Sequence, residues 1–76
     1  MDETLFTTMK LQRARRNLTQ AQLADLSGIT RKSINAIESG RMVPSILLAL
    51  KLARTLGVTV EELFSLTPSE VDDFDC

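Results

Sequence analysis

Apolar residues recur along this chain at helical spacing, and single breakers divide them. Asn17, Gly28, Gly40, Pro44, Gly57 and Pro68 cut the middle into pieces of helix length, with no strand-like alternation between them. A first helix is predicted over roughly Thr8 to Arg16, with Arg13, Arg15 and Arg16 late in it, where cations complement the helix dipole. In TQAQLADLSG, Thr19 is placed to cap a second helix, Leu23 and Ala24 to face inward, and Gly28 to end it. In ITRKSINAIESG, Thr30 can cap a helix from Arg31 to Ser39, Ile29, Ile34 and Ile37 supply its apolar side, and Gly40 closes it. Ser45 then caps the apolar ILLALKLARTLG, and Thr59 caps VEELF with Glu62 set for a capping box.

The flanks differ from this interior. ETLFT before the first helix and LFSLT after the last are each long enough for one small strand, and such ends can pair into a two-stranded sheet. For the tail, Thr67, Pro68 and Glu70 alternatively spell a helical turn. The expected fold is all-α: five helices in residues 9–64, a flank over 1–8 and an acidic tail over 65–76. Ile46, Leu47, Leu48, Leu50, Leu52 and Leu56 cover more of the fourth helix than one core-facing stripe can use. The excess makes Leu47 and Leu48 candidates for contact with a second copy.

Size strengthens the case for a partner. A 76-residue chain supports one modest core, here largely aliphatic because it holds three Phe and no Trp or Tyr. With no His, ordinary acid/base catalysis and the usual zinc chemistry are disfavoured, and no enzyme is expected. Cys76 is the lone thiol and ends the chain, so it forms no CxxC pair and is expected to stay reduced. Asp72, Asp73 and Asp75 lack the spacing and glycine of a calcium loop. Neither a metal nor a cofactor is expected. MDETLFTT carries acids where a secretion signal carries bases, and no apolar run reaches membrane-span length. These features point to a cytoplasmic protein without a membrane partner.

The net charge of −1 conceals a strong polarity: all nine Lys and Arg lie between Lys10 and Arg54, against only Asp25 and Glu38, a local surplus of seven positive charges. That block has the electrostatic footprint of phosphate binding. Within it, two short helices joined by GIT form a helix-turn-helix, the second exposing Arg31, Lys32 and Asn35 opposite its isoleucines. Arg and Lys donate to guanine O6 and N7, and Asn can pair with adenine N6 and N7. Double-stranded DNA is the partner this chemistry fits.

The stretch LTQAQLADLSGITRKSINAIESGRMVPSILLALKLARTLGVTVEELF resembles the phage repressor and Cro-like helix-turn-helix family, also called the xenobiotic response element family, across residues 9–64. The resemblance implies base contacts from Arg31, Lys32, Asn35 and Ala36. It implies backbone contacts from Gln20, which also braces the recognition helix, and from Ser33 and Arg41, together with a structural ion pair between Arg13 and Glu38. The chain departs from the family pattern at Gln12, usually aliphatic, and at Leu26 and Leu47, often polar, which adds apolar surface.

The function expected from these features is a small dimeric repressor of a palindromic operator, with no small-molecule effector evident. An antitoxin or adaptor that uses the same fold to bind another protein is the alternative. The tail is expected either to act as a solubilising end or to compete with phosphate for the basic block. In a salt titration on random-sequence DNA, competition predicts that removing residues 68–76 strengthens binding most at low salt. Parallel curves for the two proteins would leave the tail without a role in binding.

Overall fold

The computed structural model describes residues 4–66. The alternative helical turn at Thr67, Pro68 and Glu70, the acidic tail beyond Leu66 and Cys76 lie outside the described residues. The order is β1 (Leu5–Thr7), α1 (Met9–Arg15), α2 (Gln20–Ser27), α3 (Arg31–Glu38), α4 (Ile46–Leu56), α5 (Val60–Leu63) and β2 (Phe64–Leu66). None of these helices is long and apolar enough to cross a membrane.

Local chemistry sets the boundaries. Thr19 and Thr59 form complete capping boxes with Gln22 and Glu62, while Thr30 and Ser45 accept from the backbone N–H three residues on. Thr8 departs from this scheme: it precedes α1 without capping it, and its hydroxyl donates instead to the Glu62 carbonyl at 2.8 Å. Asn17 has φ 57° in the turn after α1, a conformation that Asn tolerates better than most residues, and the Leu18 N–H closes that turn on the Arg13 carbonyl. Gly40 (φ 82°) lets the Arg41 N–H return to the Ala36 carbonyl at 2.9 Å, which fixes where the chain leaves α3.

The five helices enclose one core in which Met9, Leu23, Ile34, Leu52, Leu56 and Leu63 are wholly buried. Every helix contributes to it, so no pair of helices could bury these side chains alone. Ser27, buried at the α2–α3 turn, satisfies its hydroxyl on the Leu23 carbonyl at 2.7 Å and accepts from the Ile29 N–H. Gln12 is also buried, and its amide donates to the Thr8 hydroxyl at 3.3 Å, so a polar residue is accommodated where an aliphatic is usual.

The flanks pair. β1 and β2 run antiparallel with Leu5 opposite Leu66, Phe6 opposite Ser65 and Thr7 opposite Phe64. The Thr8 N–H and the Thr7 hydroxyl both donate to the Leu63 carbonyl at 3.0 Å, joining the start of the described chain to its end. The architecture is thus five helices with a small sheet, the fold class expected from the sequence.

Candidate nucleic-acid interface

α3 is strongly amphipathic. Ile34 and Ile37 fasten it to the core, and Arg31, Lys32 and Asn35 lie exposed on the other side, with Ser33 and Ala36 half-buried at the margins. Among the described residues the ion pair formed is Arg13 with Glu38, so Arg31, Lys32 and Arg41 present uncompensated charge. Ser33 is tied locally: its N–H donates to the Thr30 hydroxyl oxygen at 3.2 Å, and its own oxygen accepts from that hydroxyl at 3.0 Å. Arg41 is exposed immediately after the turn at Gly40.

Behind this face a chain of polar side chains links three helices. Arg13 Nε donates to Glu38 Oε2 at 2.8 Å and its Nη2 to Oε1 at 3.1 Å, while Nη1 holds the Leu18 carbonyl at 3.0 Å. The ion pair is well covered, with 15% of the Arg13 side chain and 7% of the Glu38 side chain exposed. Burial works to raise the Glu38 carboxyl pKa, but hydrogen bonds from Arg13 and Gln20, and the charges of Arg13 and Lys10, outweigh it and hold the group below its ordinary value. The Glu38 hydrogen bond raises the Arg13 guanidinium in turn. Gln20, the first residue of α2, donates from Nε2 to Glu38 Oε1 at 3.0 Å and to Asn35 Oδ1 at 3.3 Å.

Gln20 therefore has both amide hydrogens engaged inside the protein. What α2 leaves open at its start is backbone: the Thr19 side chain takes the Gln22 N–H, and the N–H groups of Gln20 and Ala21 precede the helical ladder. Arg13, Asn17, Leu18, Thr19, Gln20, Ala21 and Arg31 line an open hollow at this point. A helix start facing an arginine across a hollow can hold a phosphate oxygen.

The fourth helix divides the two apolar candidates. Leu47 is 62% exposed, whereas Leu48 is half-buried and packs against the core. Helical geometry puts Leu48 about 200° from Ile46, on the inward side. Ile46 and Leu50, both exposed, share the free side with Leu47, and exposed Val43 precedes them. The excess of leucines in the sequence signalled a free face but not which members form it.

Comparison with known proteins bears on this arrangement. A helix-turn-helix family model matches residues 9–63. An uncharacterized HTH-type transcriptional regulator of Methanocaldococcus jannaschii is 46% identical over 56 residues, covering 74% of this chain and 85% of its own. A second regulator of that type, YgzD of Bacillus subtilis, is 41% identical with the same coverage. Among solved structures, the restriction-modification controller protein C.AhdI from Aeromonas hydrophila superposes with a TM-score of 0.70 at 36% identity, over 74% of this chain and 85% of that one. The hypothetical transcription factor NHTF from Neisseria superposes with a TM-score of 0.71 at 27% identity, over 83% and 72% respectively.

Proposed function

Because this chain belongs to the helix-turn-helix family of DNA-binding transcriptional regulators, we propose that it works as a homodimeric repressor that occupies a palindromic operator. The observation that carries this is the exposed side of α3, where unpaired Arg31 and Lys32 stand beside Asn35. Side chains of these types on a helix fit the major groove and its base edges. Arg31, Lys32, Asn35 and Ala36 are assigned to bases, the last as an apolar contact for a thymine methyl.

Phosphates on either side fall to Ser33, Arg41 and the start of α2. Gln20 serves there through its backbone N–H, because its side-chain donors are already used in holding Glu38 and Asn35. Repression is occupancy: a dimer seated on a promoter excludes polymerase. The apolar face of Ile46, Leu47 and Leu50 supports self-association, since an exposed group of that kind is costly on a monomer of this size.

Two substitutions separate the contact types. Asn35→Ala is expected to cost about 1 to 3 kcal/mol on the preferred operator and to relax one base-pair preference. Arg41→Ala is expected to weaken all sequences alike and to lower the salt slope by about 1. Binding-site selection with the wild type and with alanine variants at Arg31, Lys32 and Asn35 checks the assignment, and identical preferences in all four would reject it.

Assembly has its own test. A symmetric dimer should need half-sites about 34 to 36 Å apart. Monomer in light scattering at tens of micromolar, with one half-site bound as tightly as a palindrome, would exclude it. A stable complex with a different protein and weak DNA affinity would favour the adaptor alternative.

A further inference from the structure

A groove runs between β1 and the turn that follows α3. Leu5, Phe6, Ile37, Met42 and Val43 give it an apolar lining around a volume of about 480 Å³, and residues 4–7 form one wall while no described residue of β2 takes part. It therefore lies along the outer edge of β1. The Thr8 N–H bonds to the Leu63 carbonyl, so by the alternation of an antiparallel ladder Phe6 exchanges bonds with Ser65, and the N–H and C=O groups of Leu5 and Thr7 point away from β2. An apolar trough beside an open strand edge suits an extended segment of chain. Two cations stand at its rim: Arg41, exposed between the lining residues Gly40 and Met42, and Lys10, whose charge acts on Glu38 in the groove wall. Glu38 itself is paired with Arg13.

We infer that this groove is the seat of the chain's own residues 67–76, with Val71 and Phe74 against its apolar lining and their neighbouring carboxylates beside Arg41 and Lys10, so that the tail weakens DNA binding by occupying the phosphate contact of Arg41. This rests on the proposed role of Arg41 and adds a regulation to it. Leu66 stands opposite Leu5, a lining residue, so the tail starts at the end of the groove. Val71 and Phe74 follow Leu66 by five and eight residues, an extended reach of about 17 and 27 Å. In TPSEVDDFDC these two large apolar side chains stand among four acids, the complement of an apolar floor with a basic rim. Asp2 and Glu3, just before Thr4, carry the sign of the tail, so charge alone does not hold it and the apolar contact is required. Arg31, Lys32 and Asn35 do not line the groove, which leaves the choice of bases untouched.

The test is the full-length double variant Val71→Ser, Phe74→Ser, which keeps every charge and removes only the apolar groups; an unchanged circular dichroism melt checks its fold. On random-sequence DNA at low salt it should bind about three-fold or more tighter than the wild type, with a salt slope steeper by about 1. Binding-site selection should return the same base preferences for both. A nitroxide attached to Cys76, the lone thiol, should broaden the amide signals of Phe6 and Val43 in the wild type and much less in the variant. Excess DNA should relieve that broadening, because two occupants that weaken each other do so reciprocally.

Equal DNA affinity of the wild type and the double variant, as a tail acting through charge alone would give, overturns the inference, and so does equal broadening in both. A retained base preference leaves the regulator assignment standing in either case. Broadening that arises only between a nitroxide-bearing copy and a second, isotopically labelled copy would put the tail on a partner and likewise overturn it. Absence of any DNA binding in both proteins removes the regulator assignment and the regulatory role with it, whatever the nitroxide reports of the groove.

Discussion

Ile34→Ala is expected to destabilise the protein by about 2 to 5 kcal/mol, the range for truncating a fully buried isoleucine to alanine. Ile34 has no exposed surface and lies in the core of the side chains from all five helices, so the space it leaves cannot fill without moving α3. A domain of this size has on the order of 4 to 11 kcal/mol of stability in total. The variant therefore forfeits a large share of that stability and comes near its unfolding midpoint at room temperature if the wild type lies at the low end of the range. Ile34→Val is the graded control, expected to cost about 0.5 to 1.5 kcal/mol.

Because Ile34 points away from Arg31, Lys32 and Asn35, the variant should lose DNA binding only to the extent that it is unfolded. Operator DNA in excess should restore part of its melting temperature by mass action. Urea unfolding with and without DNA measures both effects, and a fully folded variant that no longer binds would contradict this separation of anchoring from readout.

Glu38→Ala should cost about 2 to 4 kcal/mol, somewhat less than a fully buried pair, because Arg13 keeps the Leu18 carbonyl and some contact with water. The loss leaves a largely covered guanidinium without its carboxylate and frees Gln20. For a domain of this length it corresponds to a fall in melting temperature on the order of 10 to 25 °C.

The pH dependence has a defined sign. The carboxyl of Glu38 is held below its ordinary value of 4.5 in the folded protein, so its stabilisation is complete above that value. It is lost as the pH falls through the lower, folded value. The raised Arg13 guanidinium stays charged throughout. The stability difference between the wild type and Glu38→Gln should then be largest near neutral pH and shrink toward pH 3, as read by urea midpoints at each pH. A difference that did not change with pH would mean that the ion pair contributes nothing measurable through its charge.

The two predictions act on opposite sides of α3, and that opposition was legible in the sequence. Isoleucines at positions 34 and 37 with Arg31, Lys32 and Asn35 between and before them leave a helix only one way to turn toward a core. The caps were equally local: Thr19, Thr30, Ser45 and Thr59 bond to a backbone N–H three residues away, a contact that needs no tertiary context.

The chain ends were less determined, since LFTT and LFSL read as strands only if each finds a partner. Pairing of β1 with β2 supplied it, because a two-stranded ladder exists only when residues some sixty positions apart meet. Tertiary structure likewise decided which leucines of α4 stay free. Helical period divides them into faces, but only the arrangement of α1, α2 and α5 around α4 sets which face is covered, leaving Leu47 out and turning Leu48 in.

The polarity of the amide chain depends most on tertiary structure. Sequence supplies an arginine that only donates, a glutamate that only accepts, and a glutamine and an asparagine that can do either. That one Gln20 nitrogen donates to both Glu38 and Asn35 follows from α1, α2 and α3 meeting at this point. Residue types and spacing thus determined that this chain folds as a helix-turn-helix with a basic face opposite its apolar one, because caps, breakers and helical period act over a few residues. The arrangement of donors and acceptors on that face was decided only by packing, because it depends on contacts between side chains far apart in sequence.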